Sequence, residues 1–530
     1  MKTTYQLLTS ATLICASFFA SAQTIEKSID FSVTTPFIEP NDVRKAITIS
    51  NSSDFVTLSK TRHSANSLEG AYSLQRYTDQ LHSKWAVELP VTAQEEPIEL
   101  RQQDENLLHL FSVIHKPKQK TAMLKAYSYN LGTGEIKASK ILDSTGVMAW
   151  KDTANKAVVK EKIENLFCEY SRPSFTYQHD YRYEISYSPQ GDKMLAYLYE
   201  YGHNQLKVRY LIFDKKLNTL ASGVLPIDEL QVIYDFYLSD QAEIIWPSVQ
   251  KNTGALVLWK HVPASKKTSK NEFPFSQYTR DDLKLCWLPN KKVGVVHQML
   301  DASENMAGIG FVTFDLATLA QETFGANTLS DEFRYYADSL RTAEKIANGS
   351  SESWKHFELV KVQPLAQGKT AIMLEKREFY ESTYGYAGLK NRRKTRYDAP
   401  ETKLLLRTEA LWCMMFDAQQ NLLWQQYLPK YQNTSANDGL QSVSFEMQWN
   451  ANSADILFAS SKAVGSPLQY INLWEMDLQN GQILSKKQLP NPDKISLLRS
   501  YTQFLPNGKI VVAGRKGLIG NNSMMIKYAK

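Results

Sequence analysis

The densest grouping of side chains suited to ligand chemistry lies between Arg377 and Lys403. It holds Tyr380, Tyr384, Tyr386 and Tyr397 together with Lys390, Arg392, Arg393, Lys394 and Arg396. Guanidinium and ammonium groups attract carboxylates, sulfates and phosphates, while tyrosine rings stack on flat or sugar faces. Tyr384, Tyr386, Lys390, Arg392, Arg393, Arg396 and Tyr397 are therefore the candidate ligand-binding residues, fitted to an acidic glycan. A solvated surface loop is the plainer alternative. A second basic stretch, Lys266-Lys267-Thr268-Ser269-Lys270, reads as a polar linker. Nucleic acid is not an expected partner, because 61 Lys+Arg against 55 Asp+Glu leave a net charge of only +6 over 530 residues.

Metal and nucleophile chemistry find no motif. The nine histidines include no His-x-x-x-His or His-Glu-x-x-His spacing. His109 and His115 would share one strand face, but about 20 Å apart, too far for one ion. A polar group at His179-Asp180 to Tyr183-Glu184 precedes a strand and could line a central channel; a surface turn is the alternative. There is no Gly-x-Ser-x-Gly elbow, and Gly132-Thr-Gly134 and Gly308-Ile-Gly310 read as turn glycines without a following helix. Glu95-Glu96, Asp281-Asp282 and Asp331-Glu332 are adjacent acids that read as turn or helix-start charges. No cofactor and no metal are expected.

The first residues set the expected compartment. Lys2, the apolar run Leu7 to Ala20 and Ala20-Ser21-Ala22 form a secretory signal, which predicts cleavage near Ala22 and a secreted or periplasmic protein. Cys15 falls within that leader. Cys168, Cys286 and Cys413 remain, more than 100 residues apart, and are expected as buried thiols, with a single bridge among them as the alternative.

The elements that must position these residues repeat along the chain. An apolar strand, an Asp or Asn, a short turn and a second strand recur at Tyr77-Asp79, Tyr129-Asn130, Phe213-Asp214, Phe314-Asp315, Phe416-Asp417 and Met476-Asp477. Asp and Asn bond their own backbone two residues on, and Gly132, Gly134, Asn218, Asn421 and Gly481 are expected to take the left-handed corner. A second signature opens strands: Ser188-Pro189-Gln190-Gly191, Leu288-Pro289-Asn290, Gln367-Gly368-Lys369 and Leu505-Pro506-Asn507-Gly508, with weaker copies near Asn51, Asp104, Ser239 and Asn450. Eight such turns imply seven or eight four-stranded units around an axis, an all-β propeller over residues 23–530.

This order of turn, strand, Asp turn and strand resembles bacterial secreted β-propellers of the quinoprotein-like and WD-like kind. Leu505 to Arg515 is similar to their Leu-Pro-x-Gly-Lys repeat, and Met414 to Lys430 to its companion hairpin. The resemblance implies a fold and carries over no site residue, since the Gly-His and Trp-Asp marks are missing.

Three further expectations follow. The last unit lacks strands, so Ile29 to Val33 and Ala46 to Ile49 should pair with the C-terminal strands and close the ring. Helical insertions are expected at about 150–168 and 330–348, and residues 377–403 as a long loop. The functional reading is a non-catalytic propeller that binds a protein or an acidic glycan. The alternatives are a propeller-fold polysaccharide hydrolase or lyase, and a subunit of a cell-envelope assembly.

Overall fold

Two strand patterns build the molecule. Met306–Asp315 and Ile244–Gln250 are buried on both faces, as a strand must be when sheets stack on either side. Thr219–Leu225 and Ile483–Pro490 alternate exposed and half-buried residues, as strands with one solvated face do. The computed structural model describes residues 25–32, 46–62, 70–92, 95–116, 121–146, 183–202, 205–227, 231–250, 252–274, 279–348, 354–383, 402–435, 445–459, 470–516 and 522–528.

These strands form eight antiparallel sheets, the blades of an eight-bladed β-propeller. Blades 1 to 7 occupy residues 46–88, 95–146, 184–225, 231–273, 279–328, 357–435 and 446–490, each a meander running from first to fourth strand. Blade 8 takes its first three strands from residues 495–528 and its fourth from Ile25–Ser32, which pairs antiparallel with Asn522–Tyr528. The ring is thus closed by the two ends of the chain. Ala46–Thr48, expected to take part in that closure, instead begins blade 1 by pairing with Phe55–Arg62.

The two turn signatures sort by position. All eight strand-opening turns join the first strand of a blade to its second, and the Asp and Asn turns join the third to the fourth. Gly132, Asn218 and Asn421 do not take the left-handed corner expected of them, which falls on Gly134, Leu217 and Gln420. The carboxylates of Asp214 and Asp417 each accept from the N–H groups two and four residues on, so the corner falls between those residues.

Neighbouring blades lock through two tryptophans. Trp85 Nε1 donates to the Leu131 carbonyl at 2.9 Å, and Trp424 Nε1 to the Leu478 carbonyl at 3.1 Å. Each indole lies beneath a glycine of the next blade's turn. A Cβ at Gly134 or Gly481 would meet the ring at 2.8 or 2.5 Å, and both glycines have φ near +75°.

Other expectations shift. Arg377 to Thr383 is not loop but the end of a strand, Thr370–Thr383, because its charges are paired within the sheet. Lys267–Phe273 is the outer strand of blade 4 and not a linker. Gly308 and Gly310 lie within the strand Met306–Asp315, where Gly310 leaves room for the His297 ring. The helix expected at 330–348 is present as Asp331–Asn348, its start capped by the Ser330 hydroxyl accepting from Phe333 N at 3.2 Å. Phe333 packs there on Trp354 and Trp412. The insertion expected at 150–168 lies outside the described residues.

Candidate functional site

Tyr384, Tyr386, Lys390, Arg392, Arg393, Arg396 and Tyr397 lie outside the described residues. Thr383 and Thr402 on either side of them are paired across the second and third strands of blade 6. His179 and Asp180 are outside as well, while Tyr183 is buried against Asp143 and Glu184 begins the first strand of blade 3. Cys286 and Cys413 are buried free thiols, and Cys168 is outside the described residues.

What sequence reasoning largely missed is the polar character of the innermost strands. Every junction between neighbouring blades is crossed, on or beside the first strands, by a polar or cation–π contact. Thr48 Oγ1 reaches Gln503 Oε1 at 2.9 Å, and Ser50 N donates to Gln102 Oε1 at 2.7 Å. The Arg101 guanidinium sits 3.5 Å over the Tyr187 ring, and the Lys361 ammonium 5.9 Å over Trp449. Leu285 N donates to Tyr237 Oη at 3.2 Å, Leu359 N donates to Asp282 Oδ2, and Arg499 Nε lies 3.3 Å from Glu446 Oε1. Between blades 3 and 4 the link runs through Tyr197.

That last junction brings two carboxyl groups onto one phenol. The Tyr197 hydroxyl lies 2.6 Å from Glu184 Oε2 and 2.7 Å from Asp235 Oδ1. A phenol carries one proton and can donate to only one of them. Burial, followed by the nearby Glu184 charge, raises the Asp235 pKa. A protonated Asp235 donating to Tyr197, with Tyr197 donating to Glu184, satisfies all three groups. Phe236 N donates to the same Oδ1 of Asp235 at 2.8 Å. Glu184 and Asp235 are both half-buried as residues.

Blade 6 holds a second ionic group, fully enclosed. Arg377 pairs with Glu358 on the first strand and with Glu375 Oε2 at 2.7 Å on its own strand. Glu375 Oε1 takes Lys430 Nζ of the fourth strand at 2.5 Å, and Lys430 also donates to Thr408 Oγ1 at 2.9 Å. Burial pushes the Glu358 pKa up to about 7 against the pull of Arg377, and pushes Lys430 down to about 8 against the pull of Glu375. Each charge has an opposite partner within the sheet, as burial of an ion requires. This group ties together all four strands of the blade.

The adjacent acids resolve individually. Glu95 is buried and accepts from Ser112 at 2.5 Å and Tyr127 at 2.7 Å; Asp282 is buried at the junction of blades 5 and 6. Neither is a turn charge, whereas Asp331 and Glu332 do start the helix. His109 lies 3.1 Å from both Ser128 Oγ and the Lys215 carbonyl, and His261 bridges Tyr210 and Thr268. Burial lowers the pKa of both. Among the described residues, no three His, Cys, Asp or Glu groups are placed to hold a metal ion, and no helix is long and apolar enough to cross a membrane.

No family model matches the sequence, and no curated protein sequence matches it. Among solved structures, the chain is similar to the β-propeller domain of the trilobed protease from Pyrococcus furiosus, at 9% identity and TM-score 0.34, covering 82% of this chain and 93% of that one. It is similar also to a prolyl endopeptidase at 10% identity and TM-score 0.39, and to dipeptidyl peptidase 4 of Porphyromonas gingivalis at 9% and 0.37. Those two matches cover 91% and 89% of this chain, but only 54% and 64% of the peptidases.

Proposed function

We propose that this chain is a secreted, non-catalytic binding propeller, released by cleavage near Ala22, that takes a protein ligand at its innermost strands. The carrying observation is the Glu184–Tyr197–Asp235 junction: two carboxyl groups on one hydroxyl, in a protein whose formal charge is positive. An amine or guanidinium placed there replaces the shared proton and leaves both carboxylates ionised, so a cationic segment is the favoured contact. The basic-aromatic residues Tyr384 to Tyr397 are proposed as a separate contact for an acidic glycan.

An array carrying lysine- and arginine-rich peptides beside sulfated and carboxylated glycans tests both contacts. The Glu184→Gln/Asp235→Asn protein should lose the peptides and keep the glycans, and Arg392→Ala/Arg393→Ala should do the reverse. Equal binding by all three proteins to every spot removes the reading.

A second reading has one specific observation in its favour. Two carboxyl oxygens at 2.6 and 2.7 Å from one hydroxyl are close neighbours, nearer the spacing of retaining than of inverting glycoside hydrolysis, and the raised pKa of Asp235 suits a general acid. Release of reducing ends from polysaccharide by the wild type, abolished in Asp235→Asn, would establish it over the binding reading.

A further inference from the structure

The fourth strand of each blade presents an open edge of backbone N–H and C=O groups, which proteins protect with charges, lysine above all. Here the protection is uneven. Lys84 guards blade 1, Lys137 and Lys140 blade 2, Lys267 and Lys270 blade 4, and Lys486 and Lys487 blade 7. Blade 5 carries Glu322 and the outer strand of blade 8 Glu26, Lys27 and Asp30, while the one charge on the outer strand of blade 6, Lys430, is buried within the sheet. The outer strand of blade 3, Thr219–Leu225, reads TLASGVL and is the one outer strand of the eight with no ionisable side chain.

Its residues alternate in a way that suits a partner strand. Leu220, Ser222 and Val224 are exposed, Leu220 at 48% and Val224 at 49%. Ala221 and Gly223 face the sheet, where a Cβ on Gly223 would meet the Tyr210 hydroxyl at 2.8 Å, so that side is filled. Among the described residues the strand pairs only with Gln205–Asp214. Next to it, Lys140 Nζ donates to the Leu217 carbonyl at 2.7 Å and brings up the outer strand of blade 2, whose Ile136 and Ile141 are exposed too.

The heptapeptide is also self-complementary. An antiparallel partner related by a two-fold axis through Ser222 sets Leu220 opposite Val224 of the second copy, Val224 opposite its Leu220, and Ser222 opposite Ser222. Cross-strand aliphatic pairs of this kind stabilise an antiparallel ladder, and like charges, which would oppose it, are absent. A shift by one residue would turn the aliphatic pairs away from each other, so the register is specified.

We propose that Thr219–Leu225 is a homodimer seam, through which two copies of this chain join their third blades into a continuous sheet. The test uses the purified full-length secreted protein. Light scattering after size exclusion should give twice the monomer mass for the wild type. Val224→Lys should weaken the dimer at least roughly tenfold, while Leu484→Lys, on the already charged edge of blade 7, leaves it unchanged. Independently of those variants, Ser222→Cys should form an interchain disulfide under mild oxidation and Ser139→Cys, on the outer strand of blade 2, should not. A monomeric wild type, or a dimer indifferent to Val224→Lys with no Ser222→Cys cross-link, overturns the proposal.

Discussion

Glu26 Oε2 lies 2.7 Å from the fully buried ammonium of Lys527, joining the first described strand of the chain to the last. Lys509 Nζ approaches the same carboxylate at 3.4 Å, and Lys527 donates to Gln80 Oε1 of blade 1 at 2.8 Å. The contact therefore closes blade 8 and ties it to blade 1 at once. Glu26→Ala leaves Lys527 buried with only the Gln80 bond, and should lower stability by about 1–3 kcal/mol in urea unfolding.

Acid should weaken the same closure. The hydrogen bond from Lys527, followed by the Lys527 and Lys509 charges, holds the Glu26 pKa below its ordinary value. Its contribution is present above the unfolded pKa and is lost as pH falls through the folded one. Unfolding midpoints of wild type and Glu26→Ala should accordingly converge on acidification.

Removal of residues 24–50 takes away the outer strand of blade 8 and the first strand of blade 1 together. The truncated chain should lose its cooperative thermal transition, followed by circular dichroism. An unchanged melting curve would show that the ring does not need its ends joined.

Glu358 responds to pH in the opposite sense. Its folded pKa, raised by burial to about 7, lies above the unfolded value of 4.5, so the native state holds the proton more tightly. The stabilisation is complete below the unfolded value and disappears as pH rises through the folded one. Glu358→Gln removes that slope: its stability relative to wild type should rise by roughly 1–3 kcal/mol between about pH 5 and pH 7.

Gly481→Ala places a methyl against the Trp424 ring at a φ of +74°, and should cost about 1–3 kcal/mol. Trp424→Phe removes only the bond to the Leu478 carbonyl and some contact area, so it should cost less. A Gly481→Ala protein as stable as wild type would mean that this turn does not hold the two blades together.

Local chemistry made the blades readable from sequence. Asp214 and Asp417 bond their own turns, so third and fourth strands announce themselves without tertiary information. Blade 4 was the exception, because Lys266 to Lys270 looks like a solvated linker although Lys267–Phe273 is an edge strand. The inner-strand chemistry was hidden for a different reason. Arg377 and Glu378 read as a loop start, and the pairing of Arg377 with Glu358 and Glu375 explains why Arg377 is buried. Asp235 lies 38 residues from Tyr197, with no local pattern joining them. The tyrosines and basic residues from Tyr384 to Tyr397 stay a proposal of the sequence.

The carboxyl groups at Tyr197 carry the proposed binding of a cationic segment. Calorimetric titration of a lysine-rich octapeptide into wild type and into Glu184→Gln/Asp235→Asn measures their role directly. The prediction is saturable one-to-one binding that weakens at least roughly tenfold in the double variant, a loss of about 1.4 kcal/mol or more. Equal affinity for both proteins, with both shown to be folded, would contradict it.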